Sequence, residues 1–354
     1  MSKLDMAMKE INKLFGQGSA HRGLEWSYFP RIPFSSPLIN FMTFGGVPRG
    51  RIIEIFGADG CGKTTTSLDL VGNAQKVFAE DAQARETTPK EVVYVDIENT
   101  MDFDWAAKLG VKTDDMYIIQ PTSQSAEVVL ESVLDIIETG EVGLIVLDSI
   151  GALLSEEAYN KELTDKVYAG ASKALTRFAS KAEMLCAKHN TTLIGINQVR
   201  DNVGSMYGGL TTPGGRGWRH ACSLRLQCNQ GQYLDRNYKE VKKSEANPYG
   251  IQIQIALAKS KCFPPTRRQS HYSLSFAKGI LKKKDLIELA AGLGIVSMSG
   301  CWYEYDGIKA QGMTNFAREL TANKAKLQAL NEAVMSWRED DEREDDDAEG
   351  ESFN

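Results

Sequence analysis

The sequence predicts an α/β protein with a mostly parallel sheet covered by helices on both faces. Three observations carry that prediction. A glycine-rich run, IFGADGCGKTTTSLDL, lies between a β-branched segment and an apolar helical one. Further short runs rich in Val and Ile alternate with stretches of helical periodicity. Each run ends in polar residues, which a parallel sheet gathers along its carboxyl edge, where such sheets bind ligands.

Taken in order, the first element is a helix over 4–15, with Leu4, Met8, Ile11 and Phe15 on one face. RIIEIF, residues 51–56, reads as a short buried strand. Gly57, Gly62, Lys63 and Thr64 then satisfy G-x-x-x-x-G-K-[ST]. In that pattern backbone N–H groups cradle phosphates, the lysine reaches the terminal ones and the hydroxyl ligates Mg²⁺. Leu68, Leu70 and Val71 suit a helix buried against a sheet, so a helix N-terminus points at the anion.

EVVYVD (91–96), MYIIQ (116–120), GLIVLDS (143–149) and TLIGINQ (192–198) read as strands. Between them, Ala126, Val129, Leu130, Val133, Ile136 and Ile137 recur with helical spacing, as do Leu175, Phe178, Ala179, Ala182 and Leu185. The polar strand ends are the candidates. Asp148 is placed to hold Mg²⁺ through water, although many strands end in Asp for the turn alone. Asp96 and Glu98 close another strand, and Glu98 is the candidate for orienting or deprotonating an attacking water, against a solvated loop acid. Asn197 and Gln198 end the next, where an amide can sense a γ-phosphate and pass its presence on.

Immediately after Gln198 comes VRDNVGSMYGGLTTPGG, residues 199–215, a long glycine-rich loop carrying Arg200, Met206, Tyr207, Thr211 and Thr212. Loops of this length inside a compact domain tend to be functional. Amides, hydroxyls, an arginine and an aromatic suit a sugar-phosphate backbone; a lid over a small substrate is the competing reading, and composition leaves both open.

The chain has 354 residues and a formal net charge of −6, and that average misleads. Residues 338–354, REDDEREDDDAEGESFN, hold ten acids and two arginines, leaving 39 basic and 37 acidic residues in 1–337. Such a block repels itself and cannot bury apolar surface, so disorder is expected, as a solubility tail or as a competitor for basic surface. The N-terminus lacks an apolar signal core and no apolar run is long enough to span a bilayer, which points to the cytosol. The six cysteines form no C-x-x-C pair, which predicts reduced thiols and no structural zinc. Cys61, inside the phosphate loop, is read as a small packed residue open to oxidation.

In addition, INKLFGQGSA (11–20), GRIIEIFGADGCGKTTT (50–66), VDIENTMDFDWAAKLGV (95–111), LIVLDSIGAL (144–153), INQVRDNVGSMYG (196–208) and TTPGGRGWRHACSLRL (211–226) resemble the bacterial RecA recombinase family. LAKSK (257–261) and GCWYEYDGIKAQG (300–312) do so too, in family order from about residue 5 to residue 335. The resemblance implies a RecA-type P-loop NTPase core with a mostly parallel sheet, an N-terminal protomer-docking helix and a small C-terminal α+β domain. It implies boundaries of 1–35 for the docking helix and linker, 36–278 for the core, 279–337 for the small domain and 338–354 for the tail.

Carried over by position, the resemblance implies ATP held by Gly57, Asp59, Gly60, Cys61, Gly62, Lys63, Thr64 and Thr65, with Asp102 and Trp105 at the adenine. The family more often has Tyr where Trp105 stands. Thr64 and Asp148 take Mg²⁺, Glu98 becomes the catalytic base and Gln198 the γ-phosphate sensor. Lys259 and Lys261 reach a neighbour's ATP in trans, although by composition ALAKSK is just a basic turn. DNA contacts fall to Arg177, Arg200, Met206, Tyr207, Gly208, Thr211, Thr212, Gly214 and Gly215. The first DNA loop, 156–170, matches only loosely. Lys278, Lys282, Lys283 and Lys284 are read as a basic cluster, either a surface that collects duplex or a solvated lysine face. The implied function is an ATP-dependent recombinase that forms a head-to-tail filament on single-stranded DNA and exchanges strands with homologous duplex, alongside a single-strand-binding protein and loading factors. A RecA-fold helicase motor and a non-catalytic loading paralogue are the alternatives.

Overall fold

The computed structural model describes residues 2–15, 30–122, 124–160, 171–201, 210–242 and 247–337. The acidic segment 338–354, Met206, Tyr207 and Gly208, and residues 161–170 of the segment read as the first DNA loop lie outside the described residues. No helix among the described residues is long and apolar enough to cross a membrane.

The centre is a ten-stranded sheet. Its main strands are β1 (Ile52–Gly57), β2 (Glu91–Asp96), β3 (Tyr117–Ile119), β4 (Val142–Asp148), β5 (Thr192–Gln198), β6 (Leu224–Leu234), β7 (Gly250–Ser260), β8 (Gln269–Ser275) and β9 (Gly279–Ile280). They lie in the order β9-β8-β7-β6-β1-β5-β4-β2-β3. From β6 to β3 every pair is parallel, while β6 to β9 pair antiparallel. The predicted strands 91–96 and 192–198 match β2 and β5, and the others shift by about one residue at their ends.

Alternation along the strands makes two cores. Ile53, Ile55, Val92, Tyr94, Leu144 and Val146 pack on one face with α3 (Lys63–Arg85). Ile52, Val93, Val95, Ile145, Leu147 and Leu193 pack on the other with α5 (Ala126–Glu138) and α7 (Ser172–His189). The buried residues of α5 and α7 fall at the predicted helical spacing, Leu185 and Ile136 being only partly buried. α1 (Lys3–Phe15) forms as expected and leaves Leu4, Met6, Met8 and Leu14 exposed.

A third core, around Leu286, Ile287, Phe316, Leu320, Leu330 and Val334, belongs to the C-terminal region. It joins α9 (Lys282–Gly292), α10 (Met313–Ala322) and α11 (Lys324–Ser336) to a three-stranded antiparallel sheet over 297–311. Leu38 and Phe41, from α2 (Pro37–Met42), pack against this core although they lie far away in sequence.

α9 is clamped to the large sheet by charged groups. Lys284, read from the sequence as part of a basic surface, is instead buried, its Nζ 2.5 Å from Glu288 Oε2. The helical turn aims it at β8, where His271 Nε2 lies 2.8 Å from Glu288 Oε1. Burial raises the Glu288 pKa, but His271 and Lys284 bring it down to about 2. Burial pushes Asp285 up to about 6, against hydrogen bonds from Ser36 Oγ (2.6 Å) and the Ser273 backbone N–H and against the Lys284 charge.

Because the folded pKa of Asp285 lies above its unfolded value, its stabilising contribution is full below about pH 4 and is lost as pH rises through about 6. Asp285→Asn keeps the Ser273 bond and lets Ser36 accept from the amide. Relative to the parent, this variant is expected to gain stability between pH 5 and pH 8, by on the order of 2 kcal/mol. Urea midpoints at both pH values measure it, and an offset independent of pH would remove the buried charge as the cause.

Candidate active site

Strand register brings the sequence candidates to one edge. Gly57 stands opposite Gln198, Phe56 opposite Asn197 and Asp96 opposite Asp148. The loop after β1 turns on Gly60 (φ +69°) and on Gly62 (φ +92°), which caps α3 without a side chain. A Cβ on Gly57 would lie 2.2 Å from the Cys228 carbonyl oxygen, so only glycine lets the loop start this close to β6.

Lys63 Nζ donates to the carbonyls of Gly57 (3.1 Å) and Ala58 (2.7 Å), curling back over the loop that precedes it. Asp59 is exposed on the crest, while Cys61 is buried against Cys228. A hydrogen bond from Cys228 outweighs burial and brings the Cys61 thiol down to about 7.

Thr64 Oγ1 donates to Asp148 Oδ2 at 2.9 Å, and Tyr94 Oη donates to the same oxygen at 2.6 Å. Burial pushes the Asp148 pKa up, the bonds from Tyr94 and Thr64 oppose this, and the charges of Glu98 and Asp96 add to the rise. A buried carboxylate so destabilised in its charged form, beside a hydroxyl, fits a cation. Two protein oxygens suit Mg²⁺, which keeps waters and takes phosphate oxygens for the rest.

Asp96 and Glu98 separate in role. Asp96 is buried and spends both oxygens on the amides of Thr100 and Met101 and the side chain of Gln120. It thereby builds the turn that presents Glu98. Glu98 is exposed, and the Ser149 hydroxyl donates to its Oε1.

Beside the loop opens a cleft of about 360 Å³, lined by Gly60, Gly62, Thr65 and Trp105 and by Tyr233, Ile253 and Phe276. Polar at the glycines and apolar beyond, it has the division a nucleotide needs. Trp105 Nε1 donates to Thr65 Oγ1 at 3.2 Å, and Asp102 Oδ1 caps α4 (Phe103–Lys108) by accepting from Trp105 N. Tyr233, Ile253, Phe276 and also Gln230, whose Nε2 donates to the Gly60 carbonyl at 3.1 Å, were not legible as site residues in the sequence. They sit on β6 and β7 and in the turn after β8, with no motif of their own.

Two residues past Gln198 the chain forms Arg200–Asp201, which pairs antiparallel with Leu210–Thr211. The loop read as irregular is thus closed at its base by a short ladder. Arg200 is exposed, whereas Thr212 is buried and its hydroxyl accepts from Arg225 Nη2 at 3.2 Å. Gly214 and Gly215 take φ of +98° and +73° where the loop turns into α8 (Gly215–Ala221). Arg177 lies in a cleft between α5 and α7 with Glu127, Glu131 and Glu156, the last in the short helix α6 (Glu156–Asn160).

Lys259 and Lys261 point elsewhere. Lys259 stands opposite Arg225, itself opposite Glu54, and Lys261 bonds through Ser223 to the level of Ile52. These rungs lie three and five residues behind Gly57, about 10 and 17 Å along the strand. Lys259 Nζ donates to the Arg219 and His220 carbonyls at 2.7 and 3.0 Å, at the C-terminal end of α8. Lys261 Nζ lies 3.7 Å from Glu183 Oε1.

Residues 2–281 match the family model described as the RecA N-terminal domain. The chain belongs to the RecA family. Protein RecA of Campylobacter fetus subsp. fetus is 33% identical over 343 residues, covering 94% of this chain and 92% of that protein. Protein RecA of Aquifex aeolicus is 32% identical over 336 residues, covering 94% and 91%, and that of Oceanobacillus iheyensis 31% over 355 residues, covering 99% and 96%. The similarity to RecA proteins therefore extends past the matched domain into the third core.

Proposed function

We propose that this RecA-family protein is an ATP-dependent DNA recombinase of the cytosol, which forms a head-to-tail filament on single-stranded DNA and promotes pairing and strand exchange with homologous duplex. One observation carries the reading. The strand edge holding the phosphate loop, Asp148 and Glu98 continues within two residues of Gln198 into the loop base at Arg200. A nucleotide-dependent grip on DNA needs that adjacency. Single-strand-binding and loading proteins are expected partners, the 1–35 segment a docking arm and 279–337 a separate small domain. Strand exchange between homologous oligonucleotides, with and without ATP, tests it; exchange that is absent, or independent of ATP, overturns it.

In this reading the loop amides and Lys63 bind the β- and γ-phosphates of ATP, and Thr64 and Asp148 hold Mg²⁺. Mg²⁺ held there would neutralise charge on the phosphate oxygens. Ser149 fixes the Glu98 carboxylate, which accepts a proton from the attacking water. Gln198, at the end of β5 and opposite Gly57, would sense the γ-phosphate. Glu98→Gln keeps the shape and removes the base, so turnover is expected to fall about 10²–10⁴-fold with ATP affinity retained. Isothermal titration with single-turnover hydrolysis separates the two, and a loss of affinity with unchanged hydrolysis would move the base elsewhere.

The DNA grip is proposed to use Arg200, Tyr207 and the rest of loop 199–215. Arg200→Ala and Tyr207→Ala are each expected to weaken single-strand binding. Loss of a phosphate contact at Arg200 lowers the slope of log affinity against log salt by about 0.7, whereas loss of stacking at Tyr207 leaves the slope unchanged. Fluorescence anisotropy over a salt series measures both, and unaltered binding in both variants places the DNA site elsewhere.

A further inference from the structure

A carboxylate with no part in phosphate or metal chemistry lies three residues behind the phosphate loop, about 10 Å back along its strand. Glu54, in β1, has a fully buried side chain. Alternation turns it away from Ile53 and Ile55 toward the face of Phe56, where β1, β5, β6 and α8 meet. Asn197 Nδ2 donates to Glu54 Oε1 at 2.8 Å, and Trp218 Nε1 donates to the same oxygen at 3.1 Å. Arg225 Nε bonds to Oε2, and its guanidinium stacks 4.6 Å from the centroid of the Phe56 ring.

A buried ion pair is no economical route to stability, since an apolar pair of similar volume commonly serves as well. What distinguishes this one is that each partner has a second engagement. Asn197 Nδ2 also donates to the Pro213 carbonyl at 2.9 Å, and its Oδ1 accepts from Gln198 N at 3.1 Å, so its orientation is fixed. Arg225 Nη2 reaches Thr212 Oγ1. Trp218 packs against Gly195 of β5, where a Cβ would meet the indole at 2.5 Å. The carboxylate thus ties the strand that feeds the phosphate loop to the residue beside Gln198, and both to residues 212 and 213, the returning end of loop 199–215.

We infer that Glu54 is a positioning residue that couples nucleotide binding to the grip on single-stranded DNA. A γ-phosphate that draws on Gln198 displaces the end of β5. Asn197 carries that displacement to Pro213 because Glu54 holds its amide against β1, and Arg225 carries it to Thr212. The inference rests on the proposed function and names how its two sites communicate.

The test is a ratio: affinity for an oligothymidylate with Mg²⁺ and a non-hydrolysable ATP analogue, divided by affinity without nucleotide. Glu54→Gln keeps an acceptor for Asn197 and Trp218 but releases Arg225. The ratio is expected to fall at least about fivefold, and the effect of the oligonucleotide on analogue affinity to fall by the same factor. A merely structural role lowers the melting temperature and the active fraction but leaves the ratio of the folded molecules unchanged, and that result overturns the inference. Should Glu54→Gln fail to fold by circular dichroism, Trp218→Phe, which removes one bond to Glu54 at similar volume, decides: a lowered ratio supports the inference and an unchanged one overturns it. A parent protein with a ratio of one, or without DNA binding, overturns the proposed function first and this inference with it.

Discussion

Lys63→Ala is expected to abolish the proposed ATP-dependent strand exchange while leaving the fold intact. The side chain is partly exposed and its ammonium is satisfied by the Gly57 and Ala58 carbonyls, which belong to the loop it spans. Deleting it frees two carbonyls that water can reach, so circular dichroism and the melting temperature should hardly move. The loss falls on bound phosphate, where a fixed positive charge at the terminal oxygens strengthens as charge develops there. Removing a group of that kind costs about 10²–10³-fold in turnover, and weakened ATP binding adds to it. Exchange assays with labelled oligonucleotides at saturating ATP read the result; exchange at the parent's rate would mean that this loop does not serve the reaction.

The second large effect is a recovery. Lys259 and Lys261 lie about 10 and 17 Å back along the sheet from their own phosphate loop. A role at phosphate therefore requires the site of a neighbouring subunit, as an arginine finger supplied in trans does. Burial and the nearby Lys261 charge both lower the Lys259 pKa. Glu98→Gln lacks the base and keeps the lysines; Lys259→Ala/Lys261→Ala has the converse defect. Each alone is expected to be inactive in DNA-dependent ATP hydrolysis. In an equal, randomly ordered mixture, roughly a quarter of the head-to-tail interfaces pair two intact halves, so hydrolysis reappears at up to that fraction. A mixture that co-assembles on DNA, by energy transfer between labelled subunits, yet stays inactive removes the lysines from the neighbour's site.

Local chemistry explains how much of the protein is legible in its sequence. The runs at 91–96 and 192–198 are strands because β-branched residues fit a pleated, buried surface. The phosphate loop is legible because its geometry is demanded residue by residue: Gly60 and Gly62 supply positive φ, Gly57 permits close approach, and Lys63 and Thr64 open the helix. Asp148, Glu98 and Gln198 are legible because a parallel sheet collects strand ends at one edge.

Other features depend on which distant segments meet. Asp96 and Glu98 look alike in sequence, and only the turn amides of Thr100 and Met101 make one a brace, while the other stays exposed and takes the Ser149 hydroxyl. Lys284 reads as one more surface lysine in KKK until the turn of α9 aims it at Glu288, beside His271. The apolar side of the candidate nucleotide cleft comes from Tyr233, Ile253 and Phe276, more than 160 residues after the phosphate loop, and the antiparallel pairing of β6 with β7 sets two of them beside it. Glu54 sits inside a strand that reads as apolar, and its meaning comes from Asn197, Trp218 and Arg225 closing on it. By itself the sequence determined the strands, the helices and the form of the glycine-rich loop, because those depend on local conformational preference and periodicity. The tertiary structure decided which polar groups brace the site and which are free to act, because burial and pairing depend on neighbours that only the folded sheet brings together.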